Sequence, residues 1–483
     1  MSNKEKIFRI SIIFIAVLCS YSHGQTISVH QEQAKLFRAK SQLQTVIPQN
    51  EVIPKAKSAK STSMIFGYLP DWGYPYTKSY LRYDILTHIA VFDFQIDSIG
   101  TIVNPLNWPW TDVISLSHQN DVKVILCATN FSAASIHALM TKAAYKQNFF
   151  ANLKTIILAN NLDGVNIDFE GLNTEDQGSA LNTFMSDLSI YLKAIKPAAE
   201  ISFAGPGITS TYYDLTGLAN ACDYIFIMAY SYYGGWSTTT GACAPLTGGY
   251  YNVTNTVNEQ YGVITSAQPQ KLILGLPYYG LQWNTSTNLE HGAVRKFITY
   301  TVYADDIVNA KTAGIKWCAD QQASWYVTNA DTGYTQTWFD SDTSLGLKFA
   351  LAKSKNFGGV GIWALGYDRD KVELWNKLYQ MFYQSNVVDD GQKISDKSFI
   401  LYQNYPNPFN PNTSLSFRLS NTAPVSLIVY DMLGREVSIL VNGIYSAGLH
   451  TVNFNGETFG SGIYTAVLKS EDSKNTIKMI LLK

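Results

Sequence analysis

Residues 164–169 read GVNIDF and are followed directly by Glu170. Side chains alternate between the two faces of a β-strand, so the apolar and polar residues of this stretch separate. Val165, Ile167 and Phe169 lie on one face, and Asn166, Asp168 and Glu170 lie on the other. Burying an amide and two carboxyl groups in a row is costly unless the groups hydrogen-bond to one another or share protons. We therefore interpret this stretch as a buried strand with a chemical role.

Seven other short runs of β-branched or apolar residues alternate with longer amphipathic stretches, which is typical of βα units around a parallel sheet. They are residues 64–68, 87–95, 122–129, 200–204, 224–230, 271–277 and 359–364. With the first run they make eight, which favours a closed (β/α)8 TIM barrel of the α/β class over an open doubly wound sheet. No glycine-rich nucleotide loop follows any of the eight runs, and this further weakens the open-sheet interpretation.

The ends of the eight predicted strands are rich in aromatic and acidic residues. In a TIM barrel the chemistry lies at these ends, and an aromatic, acidic mouth is typical of a site for polyols. The chain has 31 Tyr, 23 Phe and 10 Trp, which make up 13% of its 483 residues. Aromatic side chains either fill cores or form flat surfaces on which sugar rings stack, and composition alone leaves both roles open.

The charges are few and balanced. There are 36 basic and 37 acidic residues, for a net charge of -1. This balance excludes binding to nucleic acid through an excess of positive charge.

The N-terminus has the pattern of an export signal. Three basic residues, Lys4, Lys6 and Arg9, precede the apolar stretch 10–18, which is too short to span a bilayer comfortably. We assign residues 1–24 to a signal peptide. Leu18, the residue before Cys19, is too large for a lipoprotein signal, which argues against a lipid anchor.

Residues 25–63 are polar, lack a sustained apolar period and are predicted to be a linker or leader arm. No later segment is long and apolar enough to cross a membrane.

Four cysteines remain after the signal peptide: Cys127, Cys222, Cys243 and Cys318. Their wide spacing, without a CxxC pair or neighbouring histidines, argues against a zinc site, and we expect no metal. Cys127 and Cys222 are expected in the core. Whether Cys243 pairs with Cys318 is left open.

The chain changes character after a barrel predicted over residues 64–384 and a linker over 385–398. Residues 399–483 contain short alternating runs separated by Gly, Pro and Asn turns, such as VSLIVYDMLGREV and SGIYTAVLKS. This pattern predicts a small β-sandwich.

The stretch DGVNIDFE at 163–170 resembles the DxxDxDxE signature of glycoside hydrolase family 18, the chitinase family. Other landmarks of the family follow in order: Tyr68, the MAY of 228–230, the LPYYG of 276–280, and Trp363. The stretch 281–337 falls where some members insert a small α+β subdomain after strand seven. The resemblance therefore implies a family 18 barrel with such an insertion.

The resemblance also implies a mechanism in which the substrate's own 2-acetamido group is the nucleophile. Glu170 would be the acid and then the base, Asp168 would orient the acetamido group, and Tyr230 would hydrogen-bond its oxygen. Trp363 would form the floor beneath the sugar. The remaining substrate-binding residues would be Tyr68, Asn166, Met228, Tyr278 and Trp283. No cofactor is needed.

Two positions depart from the family pattern. Asn166 stands in place of an aspartate of the signature, and Ser231 stands where the family usually has an acid. The same DGVNIDFE form resembles members that act on bacterial cell walls, including spore-cortex N-acetylglucosaminidases. We expect a secreted, retaining hydrolase of β-1,4-linked N-acetylglucosamine polymers such as chitin. The alternatives are an enzyme directed at peptidoglycan or glycoprotein glycans, and a non-catalytic lectin-like protein.

The C-terminal domain resembles the sorting domain of type IX secretion substrates. The resemblance is carried by YQNYPNPFNP at 402–411, YDMLGREV at 430–437 and the basic, apolar end at 478–483. A carbohydrate-binding module is the competing interpretation. The expected partners are an N-acetylglucosamine polysaccharide and the type IX machinery, with no nucleic acid. We expect a monomer, secreted or attached to the cell surface after passing through the Sec and type IX pathways.

Overall fold

The computed structural model describes residues 28–41, 61–383 except 79, and 399–483 with gaps at 402–403, 405–408, 420, 447 and 471–472. The chain divides into two compact units, Met1–Gln384 and Ser385–Lys483. The predicted signal peptide and the predicted linker at 385–398 lie outside the described residues. So does most of the predicted arm at 25–63.

Part of that arm is helical, which the sequence analysis did not predict. Helix α1 spans Val29–Ser41 and belongs to the first unit. His30, Gln33 and Ala34 are buried, and Phe37 packs partly buried against the barrel core. These positions recur with the period of one helix face. The face was missed because two of the four residues are polar, so the stretch has no apolar period.

Eight parallel strands form a closed barrel, as predicted. They are β1 Met64–Pro70, β2 His88–Ile96, β4 Lys123–Asn130, β5 Gly164–Phe169, β6 Glu200–Pro206, β7 Tyr224–Met228, β8 Leu272–Pro277 and β14 Gly359–Trp363. The order around the sheet is β1-β14-β8-β7-β6-β5-β4-β2, and β1 closes the barrel by pairing with β2. The short strand β3 (Ile102–Val103) adds an antiparallel edge to β2. Each barrel strand begins and ends within two residues of its predicted run.

Helices surround the barrel. They are α2 Tyr74–Thr77, α3 Thr111–Gln119, α4 Ala133–Thr141, α5 Ala143–Ala159, α6 Ser179–Lys193, α7 Leu215–Ala221, α8 Val253–Asn255, α9 Gly262–Ala267, α11 Asp342–Ser354 and α12 Glu373–Phe382. Helix α6 illustrates why they lie there. Its buried residues, Leu181, Phe184, Met185, Leu188 and Leu192, form one apolar face. The outward-facing residues of β5, Val165 and Ile167, are equally buried.

The predicted insertion after the seventh barrel strand is present. A five-stranded antiparallel sheet lies between β8 and α11, with one helix, α10 (Tyr303–Ala313). Its strands are β9 Tyr279–Thr285, β10 Val294–Val302, β11 Lys316–Cys318, β12 Ala323–Asn329 and β13 Tyr334–Phe339. They are ordered β10-β9-β13-β12-β11.

The C-terminal unit consists of two antiparallel sheets, in agreement with the predicted sandwich. One has the order β15-β16-β19 and the other the order β18-β17-β20-β21. The strands are β15 Phe399–Leu401, β16 Asn412–Leu419, β17 Ala423–Tyr430, β18 Glu436–Tyr445, β19 Gly448–Asn455, β20 Gly462–Ser470 and β21 Ser473–Leu481. Inward-facing residues of both sheets, including Phe417, Leu427 and Leu468, share one core. In neither unit does a described helix have the length and apolar character required to span a membrane.

Candidate active site

The polar face of β5 points into the barrel, where Asn166 and Asp168 are fully buried. Every polar atom of the Asn166 side chain has a partner. Its carbonyl oxygen accepts from the Tyr68 hydroxyl at 2.8 Å, and its amide donates to the Ser202 hydroxyl at 2.9 Å. The Cys127 thiol adds a weak contact at 3.7 Å. At the position where the family signature has an aspartate, the uncharged amide of Asn166 thus has a hydrogen-bond partner for both of its polar atoms.

Asp168 and Glu170 lie further along the same face, toward the mouth. The Asp168 carboxyl is buried, and its Oδ1 atom has no hydrogen-bond partner among the described residues. Burial raises the pKa of Asp168 to about 6, with a further contribution from Glu170 and an opposing one from a neighbouring imidazole, His30. The Glu170 side chain is 21% exposed and its backbone N–H donates to the Asn130 carbonyl. Of the two carboxylates, Glu170 is therefore the one that reaches the open cleft.

Residues after β7 complete one side of the site. The Tyr230 side chain is buried beside these carboxylates, and burial, followed by Asp168 and Glu170, raises its pKa well above the usual value. The phenol remains a neutral hydrogen-bond donor throughout the physiological range. The Ser231 hydroxyl is 2.9 Å from the Tyr279 hydroxyl, and the Tyr230 and Tyr279 rings meet edge to face. The Ser231 hydroxyl is thus hydrogen-bonded to Tyr279.

Trp363, at the end of β14, forms an aromatic floor. Its ring is fully buried and meets Phe92 at 4.7 Å and Tyr68 at 5.6 Å between ring centroids, both edge to face. Trp72 lies on the same side, 6.3 Å away. Because three aromatic rings hold the indole in place, its orientation is set before any ligand binds.

Among the described residues, the side chains of three predicted substrate-binding residues have no hydrogen bond to this network. The backbone N–H of Tyr278 does donate to the Trp363 carbonyl at 2.7 Å, and that of Tyr230 donates to the Met228 carbonyl at 2.8 Å. Trp283 is buried in the insertion sheet, where its indole N–H donates to the Gly234 carbonyl at 3.2 Å. The Tyr278 hydroxyl is buried without a hydrogen-bond partner among the described residues. Met228 is buried at the end of β7. Their assignment as substrate-binding residues stays a prediction.

Helix α1 lies in the barrel mouth, against the carboxylates at the end of β5 and the tyrosine that follows β7. The His30 imidazole is within hydrogen-bonding distance of all three side chains: Nδ1 is 3.2 Å from Asp168 and 2.9 Å from Glu170, and Nε2 is 3.0 Å from the Tyr230 hydroxyl. The Ser28 hydroxyl donates to Glu170 at 2.7 Å. A cavity of about 310 Å³ remains beside the helix, lined by α1, by the C-terminal ends of β2 and β4, and by the two residues that follow β4.

Sequence reasoning missed Asp93. The register of β2 against β4 shifts between Val91 and Phe94, which breaks the simple alternation of side chains. Consequently the Phe92 ring contacts Trp363, while the neighbouring Asp93 carboxylate accepts from Thr129 at 3.2 Å. Burial raises the pKa of Asp93, against the opposing effect of a nearby arginine, Arg38. A pattern of alternation cannot reveal such a shift.

Two groups of described residues bring three metal-ligating atoms within 4.8 Å of one another. One group is His30, Asp168 and Glu170, where direct hydrogen bonds account for the distances. The other is Glu290, His291 and Cys318 in the insertion, with Cys318 Sγ 3.6 Å from His291 Nε2. All four cysteines described are free and buried, so Cys243 and Cys318 are not paired.

A family model described as glycosyl hydrolases family 18 matches residues 64–368, and a model described as a secretion system C-terminal sorting domain matches residues 403–482. The chain belongs to glycosyl hydrolase family 18. It is therefore a glycosidase, and the site at the end of β5 lies in its family 18 domain. The second match identifies the C-terminal unit as a type IX sorting domain and indicates export.

Similar proteins agree with the family. Di-N-acetylchitobiase of Rattus norvegicus is 26% identical over 267 residues, covering 48% of this chain and 71% of the rat protein. The Group IV chitinase of Ostrinia furnacalis superposes with a TM-score of 0.59 at 20% identity, covering 66% of this chain and 99% of the chitinase. The spore cortex-lytic enzyme SleL of Bacillus cereus superposes with a TM-score of 0.57 at 19% identity, covering 74% and 85%. At these identities the two solved structures show the shared fold alone.

Proposed function

We propose that this family 18 glycosidase hydrolyses β-1,4-linked N-acetylglucosamine glycans with retention of configuration, through the acetamido group of the substrate. One observation carries the proposal: Asp168 at the end of β5, Glu170 directly after the strand, the Tyr230 hydroxyl and the Trp363 ring surround one point, because a single imidazole, His30, contacts all four. The site thus combines an acid, an orienting carboxylate, a phenolic donor and an apolar surface.

The geometry supports a division of roles between the two carboxylates. Glu170, which is partly exposed, donates a proton to the glycosidic oxygen as the bond from that oxygen to C1 breaks. The acetamido oxygen forms a bond to C1, and the product is a cationic oxazolinium ring. The buried Asp168 carboxylate stabilises that charge, while the Tyr230 hydroxyl donates to the acetyl oxygen. Glu170 then takes a proton from the water that attacks C1, and the bond from C1 to the acetamido oxygen breaks, which restores the neutral acetamido group.

Chitin is the polymer we propose first, because both the rat relative and the Ostrinia furnacalis structure carry chitin-related names. Peptidoglycan is the second candidate. The similarity to the spore cortex-lytic enzyme covers 74% of this chain, against 66% for the chitinase. A lectin-like protein without turnover is disfavoured by the presence of Glu170.

We further propose that the protein is secreted or attached to the cell surface. The C-terminal sorting domain supports this, as does the basic and then apolar pattern of residues 1–24. The boundaries 1–24, 64–384 and 399–483 remain part of the proposal.

The test is proton NMR of the products formed from chitin tetramer and from purified peptidoglycan during the first minutes of reaction. We expect the β-anomer to appear first, because a retaining mechanism inverts C1 twice. An initial α-anomer would reject the acetamido mechanism. Absence of hydrolysis, with oligosaccharide binding retained, would support the lectin alternative. Because helix α1 lies in the cleft, protein with and without this segment is assayed.

A further inference from the structure

Helix α1 makes, with one side chain, the contacts that the proposed function assigns to a sugar. The His30 ring lies over the Trp363 ring, with 3.9 Å between the centroids and a tilt of 37°. Its Nδ1 atom contacts both catalytic carboxylates, and its Nε2 atom contacts the Tyr230 hydroxyl. The ring is 1% exposed. A substrate sugar and His30 cannot lie on this floor together.

We propose that helix α1 is an intramolecular inhibitor of the enzyme, held in the catalytic cleft with the His30 imidazole in the place of the reacting sugar. The inference rests on the proposed function, since it assigns a regulation to that same site. The chain is active when the segment 28–41 leaves the cleft, and inactive while it stays.

The charge of the ring strengthens the comparison with the substrate. Burial by itself would lower the pKa of His30, but the carboxylates of Glu170 and Asp168 outweigh it and raise the pKa to about 9. The imidazole is therefore a cation at neutral pH, with both nitrogens protonated. Nδ1–H donates to the carboxylates and Nε2–H donates to Tyr230. A planar cation above Trp363 and beside Asp168 resembles the oxazolinium intermediate more than the neutral substrate, and sites of this kind bind such mimics tightly.

Other side chains of α1 fix the helix across the mouth. The Gln33 side-chain oxygen accepts from the Trp363 indole at 2.9 Å and from the Tyr367 hydroxyl at 2.9 Å. Gln33 is fully buried. Gln33 therefore links the helix directly to Trp363, the residue that forms the floor of the site.

The two flanks of the cleft are held by charged residues. Arg38 forms a two-pronged ion pair with Asp71, at 2.9 and 3.0 Å, and a further bond to Asp93 at 2.7 Å. Toward the insertion, the Tyr300 hydroxyl donates to Glu32. The stretch of helix from Glu32 to Arg38, about 1.7 turns long by residue count, thus bridges the cleft from the first barrel strands to the insertion.

Such a helix depends on the cleft for its structure. An isolated helix of about 12–15 residues is marginal in water, and α1 has 13. Its buried residues His30 and Gln33, and the partly buried Arg38, form described side-chain hydrogen bonds with residues of the barrel. A packed helix with no role in the cleft would need none of these pairings. This makes α1 a reversible ligand of the site.

The first experiment cuts the full chain in place. A recognition sequence for a site-specific protease replaces part of residues 42–60, the folded protein is cut, and the released segment is removed by gel filtration. We expect the rate on chitin tetramer to rise by roughly ten- to a hundredfold, the factor that corresponds to losing one hydrogen-bonded charge pair. Protein with the same inserted sequence, treated with inactivated protease, is the control.

The second experiment leaves the chain uncut and changes single residues of α1. His30→Ala removes the ring and is expected to raise the rate by a similar factor. Lys35→Ala, at an exposed position of the same helix, is expected to leave it unchanged. Circular dichroism of each variant confirms that the barrel is folded. If uncut His30→Ala protein and the uncut parent show equal rates, the inhibitory role is rejected.

The outcomes separate this proposal from the proposed function. Equal hydrolysis by intact and cut protein would reject inhibition and leave the glycosidase assignment standing. If neither form hydrolyses any N-acetylglucosamine substrate, the proposed function fails. Inhibition is then judged by calorimetry with chitin tetramer: binding to the cut form alone supports occlusion of the cleft by α1, whereas equal binding to both forms, or to neither, overturns it.

Discussion

Strand β5 and helix α1 present polar side chains to the same point in the barrel mouth, but they are held there by different forces. The strand is part of a closed parallel sheet, so Asp168 cannot leave without unfolding the barrel. The helix is held by side-chain hydrogen bonds that His30, Gln33 and Arg38 form with residues of the barrel. Asp168, which is fixed in the sheet, is suited to catalysis, and helix α1, which can leave the cleft, is suited to regulating the enzyme. Substitutions in the two elements should therefore change activity in opposite directions.

The largest effect is expected at the strand. Glu170→Gln removes the proton donor while keeping the size of the side chain, and general acid catalysis contributes about 10² to 10⁴ in rate. In cut protein we expect hydrolysis of chitin tetramer to fall by that factor, with binding still measurable by calorimetry. Glu175→Gln, the same exchange at an exposed position after the strand, is the matched control and should leave the rate unchanged. A Glu170→Gln enzyme that retains most of its rate would remove the acid from the mechanism.

A large effect of pH is also expected on the binding of helix α1 to the cleft. The pKa of His30 is raised from 6.5 to about 9 in the cleft, so its contribution to binding is complete below pH 6.5 and is lost as the pH rises to 9. Asp168, whose pKa burial raises to about 6 with His30 in place, is mostly charged across this window. Tyr230 stays neutral, and Asp93 is paired with arginine.

We expect an acetylated peptide of residues 28–41 to bind cut protein at least about tenfold more weakly at pH 9 than at pH 6.5, measured by fluorescence anisotropy. The peptide carrying His30→Gln is the control, and its affinity should depend little on pH over the same range. Equal pH dependence for both peptides would show that His30 is not the titrating group.

A moderate effect is expected from the flank of the helix. Arg38→Ala removes the two-pronged bond to Asp71 and the bond to Asp93, so α1 should leave the cleft more readily. The uncut chain should become about tenfold more active. Arg38→Lys keeps the charge but loses the fork and should fall between the two. If Arg38→Ala leaves the rate of uncut chain unaltered, the ion pairs do not hold the helix.

The smallest effect is expected from restoring the family signature. Asn166→Asp adds a third carboxyl group to the polar face that carries Asp168 and Glu170, and this raises the pKa of Asp168 further. In cut protein we expect the acidic limb of the pH–rate profile to move upward by about one pH unit. Ser202→Ala, which removes the acceptor of the Asn166 amide without adding charge, should leave that limb in place. A downward shift for Asn166→Asp would contradict the electrostatic reasoning.

The barrel strands were predictable because each is buried on both sides, which leaves a short β-branched or apolar run in the sequence. The polar face of β5 was equally visible, since Asn166, Asp168 and Glu170 interrupt such a run at alternate positions. Helix α1 was not predictable in this way. His30, Gln33 and Arg38 lie on one helix, but helical periodicity is recognised by apolar residues, and the described side-chain hydrogen bonds of these three are to barrel residues distant in the sequence. Asp93 was missed for a related reason, because a register shift in β2 leaves no mark in composition.

The most direct test of the account is a competition between segment 28–41 and substrate in cut wild-type protein. Initial rates on chitin tetramer are measured at pH 6.5 with increasing acetylated peptide, up to millimolar concentration. If α1 and the sugar occupy one place, the peptide raises KM in proportion to its concentration and leaves kcat unchanged. An unchanged KM, or a fall in kcat alone, would show that helix and substrate do not share the floor formed by Trp363.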